Sequence, residues 1–264
     1  MTKNTIHQSL CYLLCFVLLM PLISCASAVA ATATTPADQA KPIMKLDKDP
    51  HLVGWWRFDE TSGKTAKDSS KHRRDGTLKG DLSFKDGSVP GRVGTALKLA
   101  GRGKFVEISG YKGIAGTKAR TVAAWIKTKS SRGEVASWGH QDFGKMFIFG
   151  FVRGSIGVTP QGGYLYIRAE AEDDKWHHVA AVVDEAELPN LHDNVTLYMD
   201  GTVQEIHDIG LLDLWPLETG SDLDVRIGRG FTGIIDDVRL YDRPLSEDEI
   251  AVLAGKPSRD RRRR

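Results

Sequence analysis

From Leu52 onward, the chain consists of short apolar stretches separated by turns rich in Gly, Asp and Pro. Stretches of this length match β-strands and are shorter than most helices. They recur along the body of the chain as Val53–Phe58, Lys104–Ile108, Thr121–Lys127, Lys145–Val152, Tyr164–Ala169, Trp176–Asp184, Val195–Met199 and Gly233–Tyr241. This regular alternation of strand and turn signals predicts an all-β domain.

Some of these predicted strands are apolar on both faces, which indicates that they lie centrally. Val179–Val183 is the clearest example. Two stacked antiparallel sheets explain such strands better than a single sheet with one solvated face. Asp200-Gly201 lies between two strand segments and predicts a hairpin, because Gly adopts the positive φ that a two-residue loop requires.

One short helix is predicted near the C-terminus. Ser246 and Glu249 have the spacing of a capping box, Ile250 and Leu253 form an apolar stripe, and Gly255 provides a stop. The predicted fold class is therefore all-β, a two-sheet antiparallel sandwich with one short C-terminal helix.

All three cysteines lie in the first 25 residues, at Cys11, Cys15 and Cys25, so the predicted domain has no internal disulfide. Its stability must come from burial. A domain of this size buries roughly 70% of the surface that its unfolded chain exposes, which is enough for one core.

The N-terminus carries the features of an export signal. Leu10–Met20 is an unbroken apolar run that follows Lys3, and it is shorter than the roughly 20 residues that a transmembrane helix needs. Two processing outcomes remain open. Cleavage fits the small residues of 26–30, whereas Leu22–Cys25 resembles a bacterial lipobox and predicts a lipid anchor at Cys25. Both predict export, as a secreted or periplasmic protein or as an envelope lipoprotein, with no transmembrane helix.

The predicted organisation is a signal peptide over residues 1–25 or 1–30, a flexible leader over 26–50, the sandwich over 51–255 and a basic disordered tail over 256–264. The leader is assigned from its Ala, Thr and Pro content. Between the signal and the tail, the chain has 29 Lys and Arg against 33 Asp and Glu. A mildly acidic body argues against a nucleic-acid partner.

Eight segments in order carry a family resemblance: Gly54–Glu60, Thr65–Ser70, Asp75–Leu78, Gly94–Leu99, Thr121–Ile126, Trp176–Ala180, Leu197–Gly201 and Gly233–Tyr241. The series resembles the bacterial laminin-G-like jelly-roll domain of the concanavalin A-like lectin/glucanase superfamily, over roughly residues 52–254. The resemblance implies a jelly roll. It leaves the function open, because this fold includes lectins, adhesion modules, accessory domains of sialidases and lyases, and glucanases.

The glucanases of the resembled superfamily carry Glu-x-Asp-x-x-Glu on one strand face. Glycoside hydrolysis requires two carboxylates about 5 to 9 Å apart across the scissile bond. No glutamate in this sequence begins that pattern. We therefore expect no enzymatic activity, and a carbohydrate-active hydrolase or lyase with another acid pair remains the alternative.

Members of the resembled family often bind calcium where the terminal strands meet, and the candidate ligands here are Asp59, Asp68 and Asp236. Calcium takes six to eight oxygen ligands at about 2.3 to 2.6 Å. Because neighbouring strand residues face opposite ways, only one residue of Asp59-Glu60 and one of Asp236-Asp237 is expected to reach a shared ion. The alternative is that these carboxylates pair with Arg57, Arg239 or backbone amides.

Sugar-binding sandwiches offer exposed aromatic rings that stack on the C–H groups of a pyranose. The candidate ligand-binding residues are Trp138 and Trp215, which are flanked by turn residues, followed by Tyr164 and Tyr166. The aromatic residues inside the strongest strand patterns are expected to be structural: Phe147, Phe149, Phe151, Trp56, Trp125 and Trp176.

The sequence thus predicts an exported, non-catalytic module that binds an extracellular or cell-wall glycan or a protein surface, with a structural Ca²⁺. Besides the hydrolase or lyase, a second alternative is a structural or adhesion protein of the cell envelope that has no small-molecule site.

Overall fold

The computed structural model describes residues 43, 45–209 and 215–257. The predicted signal peptide, the lipidation candidate Cys25, the leader up to residue 42 and the tail from residue 258 lie outside the described residues. The described residues belong to one compact unit. Within this part of the chain, no helix is long and apolar enough to cross a bilayer.

The described chain is mostly β-strand. The strands are β1 (Leu52–Trp56), β2 (Thr65–Ala66), β3 (Gly76–Leu78), β4 (Ser88–Pro90), β5 (Thr95–Ala100), β6 (Val106–Ile108), β7 (Arg120–Lys127), β8 (Glu134–Gly139), β9 (Met146–Val152), β10 (Ser155–Thr159), β11 (Leu165–Ile167), β12 (Trp176–Val183), β13 (Val195–Met199), β14 (Thr202–Val203), β15 (Ile206–Ile209), β16 (Leu223–Ile227) and β17 (Thr232–Tyr241). Short helices lie at α1 (Phe84–Gly87), α2 (Leu191–Asn194) and α3 (Glu247–Leu253).

The strands form two antiparallel sheets. Sheet I has the order β14-β13-β12-β7-β17-β5-β4, and β1 also pairs with β17. Sheet II has the order β15-β11-β10-β9-β8-β16-β6-β3-β2. This arrangement confirms the predicted two-sheet antiparallel sandwich.

The main core lies between the sheets and follows from the two-residue period of the strands. On β12, Val179, Ala181 and Val183 belong to this core, whereas Ala180 and Val182 belong to a second cluster on the outer face of sheet I. β12 lies between β13 and β7. The prediction that this doubly apolar strand is central is therefore confirmed.

The second cluster is covered by α3 and by the chain that precedes β1. Ile250 and Leu253 of α3 and Leu46 pack with Tyr198 and Tyr241. The helix begins at the predicted capping box, in which Ser246 Oγ accepts from the Glu249 amide and Glu249 Oε2 accepts from the Ser246 amide. The C-terminal helix prediction is confirmed.

The prediction of a flexible leader over residues 26–50 is wrong at its end. Leu46 is buried. Arg239 Nη1 donates to Asp47 Oδ1 at 2.6 Å, and Arg243 Nη2 donates to Asp49 Oδ2 at 2.5 Å. Because both arginines lie more than 190 residues further along the chain, no local pattern indicates that this segment is docked.

A bulge interrupts β17 at Asp236 and Asp237. The strand pairs with β5 before this point and with β1 after it, and its register with β7 shifts there. Ile235 and Val238 both pack into the main core, so the two residues between them lie away from it. Asp237 has a φ of 48°, a left-handed value that Asp tolerates better than most residues. The expectation that the two aspartates face opposite ways is therefore wrong.

Trp138 is part of the core, so its prediction as an exposed ligand-binding ring is wrong. It is 0% exposed, its ring lies 4.7 Å from that of Phe147, and its Nε1–H donates to the Ile114 carbonyl at 3.0 Å. The reason is that β8 extends through residue 138 and turns this side chain inward, whereas the sequence suggested a loop.

The buried position of Trp138 makes a stability prediction. We expect Trp138→Ala to lower the free energy of unfolding by about 3 to 5 kcal/mol, because it leaves a cavity in the core. The matched control, Trp215→Ala, removes a half-exposed ring and should change stability by less than about 1 kcal/mol. Urea unfolding measures both values. A larger loss for the control than for Trp138→Ala would contradict this packing.

Candidate functional site

Trp215 lies on the surface next to Phe143, and both side chains are 50% exposed. Their rings meet edge to face, with centroids 5.8 Å apart and an interplanar angle of 89°. We call these two residues the aromatic platform. The position of Trp215 agrees with its prediction as an exposed ring, whereas Phe143 was not among the predicted ligand-binding residues.

Two glycines lie against the aromatic platform. A Cβ atom at Gly162 would lie 2.8 Å from the Phe143 ring, and one at Gly144 would lie 3.1 Å from the Trp215 ring. Each ring is therefore supported by backbone on one side, and this contact needs a residue without a side chain. The remaining surface of each ring faces solvent, where a flat apolar ligand face has access to it.

The loop that carries Phe143 is held in place by backbone hydrogen bonds. The His140 amide donates to the Lys145 carbonyl at 3.0 Å, and the Gly144 amide donates to the Gln161 carbonyl at 3.2 Å. Around it lie polar pairs: His140 with Asp222, and Lys145 with Glu218. The aromatic platform thus combines a supported apolar surface with nearby hydrogen-bonding groups, as a sugar-binding surface requires.

Tyr164 and Tyr166 lie on the outer face of sheet II, because they alternate with the buried Leu165 and Ile167. Their rings are 6.0 Å apart and nearly parallel, with an interplanar angle of 28°. Both are half-buried, and the Arg153 guanidinium lies 5.1 Å from the Tyr164 ring. Tyr164 follows Gly162, the glycine that lies against the Phe143 ring, by two residues.

Asp68 is fully engaged by its own turn. Its carboxylate is almost entirely buried and accepts hydrogen bonds from the amides of Trp55, Ser70 and Arg74 and from the Ser70 hydroxyl, at 2.7 to 2.9 Å. Asp68 joins β1 to the following loop and has a structural role.

Asp59 and Asp236 both hold the hairpin between β4 and β5. Asp59 Oδ1 accepts from the Thr95 amide at 3.0 Å, and Asp236 Oδ2 accepts from the amides of Arg92 and Val93 at 2.7 and 2.9 Å. Both carboxylates lie near the meeting point of the first and last strands, where the sequence predicted them. Both accept hydrogen bonds from backbone amides, which are among the partners predicted as the alternative to calcium.

Asp236 is fully buried, and its Oδ1 atom has no hydrogen-bond partner among the described residues. Burial and, to a lesser extent, the neighbouring charge of Asp237 raise the pKa of Asp236 to about 7, against the hydrogen bonds from backbone amides, which lower it. This carboxyl group is covered by the hairpin.

Each of the three predicted calcium ligands is engaged by donor groups of the protein. Asp68 is saturated by N–H and O–H donors, and Asp59 also pairs with Arg57 at 2.9 Å. In the described part of the chain, no three His, Cys, Asp or Glu side chains come together to hold a metal ion. Calcium binding remains a prediction that rests on the resemblance.

Calcium binding is checked by thermal unfolding of the full chain with excess chelator and with added Ca²⁺. The calcium prediction requires a higher Tm with added Ca²⁺ than with excess chelator. A ligand that binds only the folded state at 100 times its Kd adds about 2.7 kcal/mol of stability. An equal Tm in the two conditions would refute calcium binding.

A cavity of about 390 Å³ opens on the outer face of sheet I beside α3. Its lining includes two indoles, three arginines and two aspartates: Trp55, Trp125, Arg57, Arg92, Arg239, Asp47 and Asp237. We call it the indole–arginine cavity. Sequence reasoning missed it because its residues come from the docked leader, β1, the β4–β5 hairpin, β7 and β17. The density of Trp and Arg near β1, at residues 55–57, is the one local signal that could have indicated it.

These observations define the class of the protein as a two-sheet jelly roll with exposed aromatic residues. A profile described as the concanavalin A-like lectin/glucanases superfamily matches residues 100–251. Since this match spans more than half of the chain, the chain belongs to this superfamily.

Solved structures with a similar fold include domain 4 of AbnA, a GH43 extracellular arabinanase from Geobacillus stearothermophilus, in complex with arabinotriose. It is 18% identical with a TM-score of 0.57, and the match covers 77% of this chain and 98% of that one. The binding domain of Paraclostridial Mosquitocidal Protein 1 is 15% identical with a TM-score of 0.51, over 79% of this chain and 52% of that one. Such low identities establish the fold alone. No curated protein sequence matches the chain.

The raised pKa of Asp236 predicts a pH-dependent stability. Between the ordinary pKa of 3.8 and about 7, the folded protein keeps a proton that the unfolded chain releases, so the stability of the wild type falls as the pH rises. Asp236→Asn keeps an oxygen acceptor and removes this titration. Its stability relative to wild type should therefore rise between about pH 4 and pH 7.5, by about 1.4 kcal/mol per unit of pKa shift.

Urea unfolding at several pH values measures this difference. Asp59→Asn is the control, because it makes the same change at another carboxylate that holds this hairpin, but at an exposed position. If the free energy of unfolding of Asp236→Asn differs from that of wild type by the same amount at every pH in this range, Asp236 is ionised throughout.

Proposed function

We propose that this protein is an exported, non-catalytic module that binds an extracellular glycan through the aromatic platform. The observation that carries the proposal is the pairing of the half-exposed rings of Phe143 and Trp215, each supported from below by a glycine. Folding leaves few large apolar rings exposed in adjacent positions unless they contact a partner.

The chemistry of the platform favours a sugar. The C–H groups on one face of a pyranose or furanose pack against an indole or phenyl ring, while the hydroxyl groups around the sugar need hydrogen-bond partners. Asp142 and Gln161 are exposed beside the platform, and the Lys145–Glu218 pair borders it. A ring that stacks on Trp215 would therefore find polar groups at its edge.

The comparisons give support at the level of the fold. Domain 4 of the arabinanase, a neighbour of similar fold, was solved with arabinotriose bound. This makes arabinan a reasonable first ligand to test, and the ligand itself is to be found by binding measurements on a panel of polysaccharides.

The non-catalytic part of the proposal rests on the carboxylates. Glu134 accepts hydrogen bonds from Arg229, at 3.0 Å, and from the Ser137 hydroxyl, so both of its oxygens are engaged within the protein. Asp236 has the raised pKa of a general acid, but it is buried under the hairpin and has no access to a glycosidic oxygen. A hydrolase or lyase would need another acid pair.

Export and anchoring belong to the same proposal. The apolar run and the small residues or lipobox that follow it support secretion or lipidation at Cys25. A binding module that lacks an internal disulfide depends on its two-sheet core for stability outside the cytoplasm. Structural calcium is not needed for the proposed glycan contact.

The test is retention of the mature protein on a panel of insoluble polysaccharides, arabinan among them, with an assay for released reducing sugar. We expect retention without release. Trp215→Ala and Phe143→Ala should each weaken binding by about tenfold or more, because each removes a stacking surface from the centre of the contact.

Val203→Ala is the control, since it truncates an exposed apolar side chain on β14. Release of reducing sugar would establish the hydrolase alternative. Retention by no polysaccharide in the panel, or equal retention of the platform variants and wild type, would refute binding at the platform and favour a structural or adhesion role.

A further inference from the structure

The indole–arginine cavity shares no residue with the aromatic platform and is built around a buried ionic network. Arg239 is 4% exposed and its Nε donates to both carboxylate oxygens of Asp237, at 3.1 and 3.2 Å. Trp55 Nε1–H donates to the same carboxylate, and the Arg239 guanidinium lies 4.2 Å from the Trp55 ring. The bulge in β17 places Asp237 where these contacts form.

A network of this kind is weak evidence for stability. Removing charges from water is costly, and apolar residues of similar volume often replace buried ion pairs without loss of stability. Backbone in a left-handed conformation at a non-glycine residue, here Asp237, is also frequent at functional sites. A cavity lined by such groups is the usual location of a ligand site.

Two arginines at the cavity have N–H groups available for a ligand. The Arg57 guanidinium lies 5.5 Å from the Trp55 ring, and the Arg92 guanidinium lies 4.7 Å from the Trp125 ring. Among the described residues, Arg57 pairs only with the exposed Asp59, and Arg92 has no carboxylate partner. Stacking on indoles holds both cations in place, which reduces the entropy lost when they bind an anion.

The rest of the cavity suits the uncharged part of a sugar. Val93, Val252 and Leu253 provide apolar walls. Asp47 and Asp237 provide carboxylate oxygens that accept hydrogen bonds from hydroxyl groups. A volume of about 390 Å³ lies in the lower part of the range for small-molecule sites. A bare inorganic anion would use the arginines and leave the acceptors and the apolar walls unused.

We propose that the indole–arginine cavity binds a carboxylate-bearing sugar, a uronate, with Arg57 and Arg92 contacting its carboxylate and Asp47 and Asp237 accepting from its hydroxyl groups. The choice of a sugar rests on the proposed glycan-binding function, whereas the carboxylate follows from the two arginines. Guanidinium groups match the geometry of a carboxylate and form the stronger class of hydrogen bond with it.

The test is isothermal titration calorimetry of the full-length mature protein with D-glucuronate. D-glucose is the neutral ligand of the same ring shape, and acetate is the carboxylate without a ring. We expect binding of glucuronate and much weaker binding of both controls. Arg57→Gln and Arg92→Gln should each raise the Kd for glucuronate by roughly ten- to a hundredfold, because each removes a hydrogen bond to a charged group.

Arg168→Gln is the matched control, since it neutralises an exposed arginine directly after β11, and thermal unfolding verifies that every variant is folded. The proposal is overturned if glucuronate does not bind, if glucose binds equally well, or if both cavity variants keep the wild-type Kd. Binding of acetate as tight as that of glucuronate would also reject a sugar as the ligand.

Trp215→Ala separates this proposal from the proposed function. We expect this platform variant to bind monomeric glucuronate like wild type while it loses retention on polysaccharide. Arg57→Gln and Arg92→Gln should weaken glucuronate binding while they keep the retention of the wild type on a neutral polysaccharide. Loss of glucuronate binding in Trp215→Ala would place the carboxylate at the platform and overturn the assignment to the cavity.

Discussion

The bulge in β17 determines where Asp236 and Asp237 lie and which groups each of these carboxylates holds. It occurs where the strand exchanges one pairing partner, β5, for another, β1. A regular strand would place Asp236 and Asp237 on opposite faces, with one of them in the main core. The bulge keeps both away from the core, so that Asp236 holds the β4–β5 hairpin and Asp237 holds Trp55 and Arg239. The position of Arg92 at the cavity follows from the first contact, and the orientation of Trp55 follows from the second.

Those parts of the structure that depend on local periodicity were predictable from the sequence. The strands follow the apolar alternation, Val179–Val183 is central because both of its faces are apolar, and α3 begins at its capping box. The end of the leader was not predictable. Its docking depends on Asp47 and Asp49 meeting arginines that are distant in the chain, and a pattern read along the sequence contains no information about such pairs.

The candidate site was predictable in part for the same reason. Trp215 is exposed, as expected, because Leu-Trp-Pro interrupts any strand pattern. Trp138 is buried because β8 continues through it to Gly139, whereas a glycine at that position suggested a loop. Phe143 becomes relevant only through its contact with Trp215, across more than 70 residues. The arginines and indoles of the cavity come from four separate segments, and tertiary pairing alone brings them together.

The docking of residues 45–49 also has a mechanical consequence. If the chain is held to an envelope through its N-terminus, as proposed, tension on that tether enters the domain at the ion pairs Asp47–Arg239 and Asp49–Arg243. Both arginines belong to or directly follow the last long strand, which is paired along its length with the centre of sheet I. A pulling force would therefore act on many backbone hydrogen bonds at once instead of separating one edge strand from its sheet. The same force would pass through Asp47, which forms part of the cavity wall.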